Sequence, residues 1–167
     1  MERSEELLLK MMDYEKGCPQ RITHFLKVLA FAKLLGAMAG IDDKTSLILD
    51  TAAIVHDIGI KRSLEKYGTA CGKQQETEGP PLAEAMLESL GYEPEVVRRV
   101  SYLVANHHTY EDIQGLDYQI LVEADFLVNI EGRQLSRRDL AEIRRDIFQT
   151  EAGRAVFDKL YPQGMAK

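Results

Sequence analysis

Apolar residues recur at intervals of three and four along most of the chain, the period of one face of an α-helix. Residues 4–15 gather Leu7, Leu8, Met11 and Met12 on one side before Gly17-Cys18-Pro19 breaks the pattern. A second helix over 20–39 carries Ile22, Phe25, Leu26 and Leu29, with His24 in its first turn and Gly40 as its stop. Asp42 or Asp43 caps a third helix, which ends at His56-Asp57. A fourth over 81–90 closes at Gly91, and Pro94 suits the first position of a fifth that ends in Asn106-His107-His108. Residues 109–116 read as a loop. The sixth helix, 117–130, is apolar almost all round and should be central, with Asp125 in its middle. Ser136 and Asp139 resemble a capping box for a seventh over 136–149, and Thr150 caps a last helix to 161, beyond which the chain should fray. No alternating strand pattern appears. The expectation is one compact all-α domain of about seven or eight helices over residues 1–167, its site-bearing core within 20–130 and its C-terminal helices within 136–161.

Residues 58–80 depart from this pattern. They are rich in Gly, Lys, Gln and Glu, and Gly59, Gly68, Gly72, Gly79 and Pro80 punctuate them, with Pro81 next. They read as a long connection, which in a compact domain is uncommon and often functional. Lys61, Arg62, Lys66 and Lys73 make the stretch locally basic. A solvated loop would look the same.

Composition narrows the class. At 167 residues, with 45% hydrophobic and 29% charged, the chain can bury one substantial core. The N-terminus is polar and acidic and reads as no signal peptide, and the longest apolar runs read as too short to cross a bilayer. Cys18 and Cys71 make no disulfide framework, which suits a reducing, cytoplasmic setting. A net charge of -6 without a basic stripe argues against nucleic-acid polymers and membranes as partners, and leaves open a small phosphorylated ligand met by local cations.

The candidate chemistry begins at His56-Asp57, where an apolar run ends in an imidazole and a carboxylate. A buried carboxylate costs several kcal/mol, of order ~5, unless a hydrogen bond, a partner charge or a metal compensates it. The alternative is that both residues sit at the water edge. All four histidines, His24, His56, His107 and His108, lie at helix ends beside apolar faces, and Asp57 and Asp125 are embedded in apolar helical sequence. Together they offer a mixed nitrogen and oxygen site for a divalent transition metal: Mn, Fe, Co, Ni or Zn, with Mg as a further option.

The order His24, His56-Asp57, Asp125 resembles that of the HD-domain superfamily of metal-dependent phosphohydrolases. Ala-Ala-Ile-Val-His56-Asp57-Ile-Gly, the Asn-His107-His108 helix end and Glu-Ala-Asp125-Phe-Leu-Val-Asn carry the likeness. The resemblance implies that His24, His56, Asp57 and Asp125 are the primary metal ligands. Asp57 would bridge to a second ion in two-metal members, so one or two ions per chain are implied. Such members add two histidines: His107 and His108 are candidates for one, and Glu78 stands nearest to the other. The nucleotidase branch places a Glu three residues after the pair, where this chain has Ile60, and the Lys often found after His-Asp-x-Gly is displaced to Lys61. Proton transfer would then fall to His107, His108, Glu78 or Asp57.

A metal-activated water would attack the phosphorus, with Lys61, Arg62 or Lys73 holding the phosphate. The expected activity is hydrolysis of a small phosphomonoester or phosphodiester, a nucleotide foremost. A di-iron oxygenase and a degenerate metal- or nucleotide-binding sensor are the alternatives. A homo-oligomer stays open, since the apolar stripes of the first and last helices could face a core or a partner.

Overall fold

The structure is a computed structural model that describes residues 1–164. Among the described residues there are nine α-helices and no strand: α1 (Arg3–Tyr14), α2 (Pro19–Ala39), α3 (Asp43–Val55), α4 (Gly59–Tyr67), α5 (Gly72–Ser89), α6 (Pro94–Val104), α7 (Leu116–Asn129), α8 (Arg137–Ile147) and α9 (Glu151–Leu160). The all-α expectation is met. Pro162–Gly164 form a 3-10 turn where fraying was expected, and residues 165–167 lie outside the described residues.

The apolar pattern fixes the centre. Tyr118, Ile120, Leu121, Val122, Ala124, Leu127 and Val128 are all buried, so α7 is enclosed on several sides. It packs on α2 and α3, while α3 also meets α6 and α1, and α9 lies against α2 and α7. Side chains satisfy the helix starts as read from sequence. Asp42 Oδ1 accepts from Thr45 N–H at 3.0 Å, and Thr150 Oγ1 accepts from Gly153 N–H at 2.8 Å. Ser136 and Asp139 form the reciprocal box, with donor–acceptor distances of 2.8 and 3.1 Å.

Residues 58–80 are corrected by the structure. They form α4, closed by Gly68 at φ 72°, a short link, and the first half of α5, which continues through Pro80 and Pro81. Gly59 and Gly79 are packing contacts. A Cβ on Gly59 would lie 2.7 Å from Gln75 O and 2.9 Å from Gly79 N, and one on Gly79 would lie 2.7 Å from Val104 Cγ1. Only glycine lets α4, α5 and α6 approach so closely. Gly79 also precedes Pro80, where a missing Cβ relieves the usual clash with helical backbone.

α2 also departs from expectation. By length and composition alone it is apolar enough to cross a membrane. Here one face of it, with Phe25, Val28, Leu29, Ala32, Leu35 and Gly36 buried, packs on α3 and α7 and carries His24 into a polar cluster.

Candidate metal centre

Four donors converge where α2, α3 and α7 meet. His24 extends from the second turn of α2, His56-Asp57 form the turn between α3 and α4, and Asp125 comes from the middle of α7. His24 Nε2 stands 3.2 Å from His56 Nε2, 3.2 Å from Asp57 Oδ2 and 3.1 Å from Asp125 Oδ1. His56 Nε2 is 3.3 Å from Asp57 Oδ2 and 3.5 Å from Asp125 Oδ1. Atoms that share one divalent ion at about 2.0–2.2 Å stand about 3.0–3.5 Å apart, so these separations fit a single ligand shell.

Helix ends orient the imidazoles. His56 Nδ1 donates to Ala53 O at 2.9 Å, and His107 Nδ1 donates to Val104 O at 2.8 Å. Each carbonyl belongs to the last turn of its helix and lacks a helical partner. A carbonyl oxygen only accepts, so both rings carry a proton on Nδ1 and turn Nε2 towards the cluster. His107 Nε2 and Asp125 Oδ1 are buried and have no hydrogen-bond partner. Unsatisfied buried atoms of this kind fit a metal-binding role.

Asp57 faces two ways. Its Oδ2 serves His24 and His56, while its Oδ1 lies 3.4 Å from His107 Nε2. Asp57, His107 and His108 form a second group of closely placed donors beside His24, His56 and Asp57. The His107-His108 turn is held by neighbours: Tyr118 O–H donates to Asn106 O at 2.6 Å and also to Thr109 O. Glu76 Oε1 accepts from His108 N–H at 3.1 Å and from Thr109 Oγ1 at 2.9 Å.

Burial works against charge throughout the cluster, and the opposite charges outweigh it. The Asp125 and Asp57 carboxylates that face it hold His24 above its ordinary value, and the field of Asp57 holds His56 well above. The imidazoles, His56 foremost for Asp57 and His24 for Asp125, hold both carboxyls below the usual range. His108 moves the other way, lowered by burial and then by His107. The cluster requires positive charge at its centre, which imidazolium protons or a divalent cation supply.

Several other candidate residues do not join it. Lys61 Nζ donates to Tyr14 O at 2.9 Å and sits 5.0 Å over the Tyr14 ring, which ties α4 to α1. Glu78 Oε1 accepts from Lys66 Nζ and from Tyr67 O–H, both at 2.7 Å. Arg62 is exposed and pairs with Glu65 and Glu78, at 3.9 and 4.0 Å. Lys73 is exposed near the start of α5, one turn before Glu76. The reading of Glu78 as nearest to the missing ligand is corrected, because Glu78 is turned to Lys66 and Tyr67 while Gln75 and Glu76 are the α5 side chains that meet His108. Gln75 and Glu76 carried one signal that went unused. Gly72, Gln75, Glu76 and Gly79 share the i, i+3, i+4, i+7 spacing of one helix face.

An all-helical domain built around convergent His and Asp donors is thus the class that fold and site define. The chain belongs to the HD domain family, whose model matches residues 21–148. A crystal structure of a predicted HD superfamily hydrolase from an uncultured Thermotogales bacterium shares the fold, at 23% identity and a TM-score of 0.70. The match covers 95% of this chain and 84% of that one. No curated protein matches the sequence significantly.

Proposed function

We propose that the protein is a metal-dependent hydrolase of a small phosphorylated compound, with a nucleotide as the favoured substrate. HD-family membership supports metal-dependent hydrolysis in general terms. The observation that carries the reading is the cluster of His24, His56, Asp57 and Asp125, with neighbouring donor atoms 3.1–3.5 Å apart. His24, His56, Asp57 and Asp125 would hold one divalent ion. Such an ion supplies a water of near-neutral pKa and offsets charge on phosphoryl oxygens.

The chain's own groups would do the rest. Arg21 precedes His24 by one turn, so the two share a face of α2. Its Nε is held at 2.6 Å by Glu15, a carboxylate only 1% exposed, which fixes the guanidinium in place. We assign phosphate binding to Arg21, since Lys61 is tied to Tyr14. His108 lies beside Asp57 and His107 and is partly exposed, which suits it to carry the proton. Tyr110, pushed up to about 12 by burial and then by Asp125, stays a neutral hydroxyl near these carboxylates.

The test is a screen of nucleotides and other phosphate esters with Mn, Fe, Co, Ni, Mg and Zn supplied singly. Phosphate release with at least one metal, abolished in Asp57→Ala, is expected. Dioxygen uptake without phosphate release would overturn the reading and favour a di-iron oxygenase.

A further inference from the structure

A cleft of about 380 Å³ opens beside the donor cluster, between the start of α2 and the end of α7. His24 is one of its walls, so a molecule seated there lies against the metal centre. Gln20, His24 and Lys27 follow the i, i+4, i+7 spacing and form the α2 side. Val128, one turn after Asp125, and Glu131 form the α7 side. Lys27 Nζ meets Glu131 Oε2 between the two helices at 2.8 Å, with both side chains about half exposed. Ligand sites run from about 300 to 1,000 Å³, so this cleft suits one ring rather than a whole nucleotide.

The chemistry of the walls selects the occupant. An exposed ion pair contributes only about 0–1 kcal/mol, so Lys27 and Glu131 can both turn to a ligand. The ammonium of the cleft is matched by its carboxylate, which leaves no surplus cation for a second phosphate. Beyond the bridging oxygen of a diphosphate or triphosphate lies another phosphoryl group, and Glu131 would face it with like charge. Beyond that of a sugar monophosphate lie neutral hydroxyls, which both donate and accept. Glu131 offers two acceptor oxygens, Lys27 three N–H donors and Gln20 an amide of both kinds. Lys27 stands three residues beyond His24, about 4.5 Å of helix rise, a distance comparable to the span of a sugar ring.

We propose that this cleft receives the sugar of a sugar or nucleoside monophosphate, with ring hydroxyls on Glu131 and Lys27, and so selects monophosphates over di- and triphosphates. The proposal rests on the hydrolase reading above. In that reaction the water oxygen joins phosphorus, and the bridging oxygen leaves with a proton as the sugar's hydroxyl.

The full chain, with divalent metals supplied singly, is assayed on ribose 5-phosphate, tetrahydrofurfuryl phosphate, AMP and ATP. Tetrahydrofurfuryl phosphate keeps the ring and the leaving oxygen but lacks the hydroxyls. Its kcat/KM should be about tenfold or more below that of ribose 5-phosphate, and AMP should be preferred to ATP. Glu131→Ala should cut the first ratio about tenfold, and Lys27→Met should lower it as well. Glu131→Lys makes the cleft cationic and should move the second preference about tenfold towards ATP. Calorimetry on the chain stripped with chelator gives a readout without turnover: ribose 5-phosphate should bind more tightly than tetrahydrofurfuryl phosphate, and Glu131→Ala should remove that margin. Equal kcat/KM on the two ring phosphates, ratios that the Glu131 variants leave in place, or a wild-type preference for ATP would overturn the role of the cleft, while phosphate release kept the hydrolase standing. No phosphate release from any of the four with any metal would overturn both.

Discussion

Gly59 and Gly79 place the backbones of α4 and α5 in contact, with room for no side chain on either: a Cβ on Gly59 would sit 2.9 Å from Gly79 N. The same contact borders the donor cluster. Gly59 lies two residues after Asp57, Gly79 packs on Val104, and Val104 O holds the His107 ring. Gly59→Ala must push α5 away from the His56-Asp57 turn. We expect a loss of about 1–3 kcal/mol in denaturant unfolding, the usual cost of overpacking, together with weaker metal binding. Unchanged stability and metal affinity would show that the contact is looser than described.

Stability should depend on pH in a direction fixed by the cluster. His24 and His56 are raised on folding, so without metal their contribution is full below about 6.5 and fades as pH rises through their folded values. Asp57 and Asp125 are lowered, so their contribution is full above about 3.9 and fades as pH falls through their folded values. The metal-free protein should therefore lose thermal stability as pH rises above about 6.5. A divalent ion competes with the imidazole protons, so metal should raise Tm most at the alkaline end and its affinity should fall in acid. Thermal melts with chelator and with Mn(II) across this range check both. An equal metal effect at every pH would place the ion elsewhere.

Arg21 and Lys61 separate the two choices for phosphate binding. Lys61→Met should leave KM for a phosphate ester within about twofold while weakening the α1–α4 tie by about 1 kcal/mol. Arg21→Lys keeps a cation beside Glu15 but loses the planar fork, and KM should rise about tenfold or more. Steady-state kinetics on both variants decides. A large KM effect from Lys61→Met alone would return the phosphate to α4.

The unequal legibility of the sequence has a physical cause. α2, α3 and α7 bury apolar faces, so their period showed, and with it the placing of His24, His56, Asp57 and Asp125. The α4–α5 pair buries Gly59, Gly79 and Gln75 instead. Close backbone contact leaves no apolar period, and glycine and proline then imitate a loop. A helix expected only from 81 leaves Gln75 and Glu76 in a loop and Glu78 nearest to the family's position, whereas Gln75 and Glu76 are the side chains that meet His108. Lys61 was misread for a different reason. Its partner is a backbone carbonyl of α1, distant in sequence, and no local pattern announces such a contact.

Glu123 tests how the C-terminal helices bear on the centre. It is fully buried on α7, two residues before Asp125. Its carboxylate accepts from Gln149 N–H at 2.7 Å, Thr150 N–H at 2.9 Å, Thr150 Oγ1 at 2.5 Å and Gln119 Nε2 at 2.9 Å. It thus binds the start of α9, where positive helix-end charge favours an anion. Gly153 leaves the space for it, since a Cβ there would collide with the carboxylate. Glu123→Ala strands two backbone N–H groups and opens a cavity, and should cost about 3 kcal/mol or more. Glu123→Gln keeps one acceptor and should recover part of that loss. If α9 steadies α7 through this carboxylate, Glu123→Ala should also weaken metal binding at Asp125, and Gly153→Ala should do the same with Glu123 intact. Unfolding free energies and metal titrations on the three variants check this. Lost stability with unchanged metal affinity would confine Glu123 to anchoring the C-terminal helices.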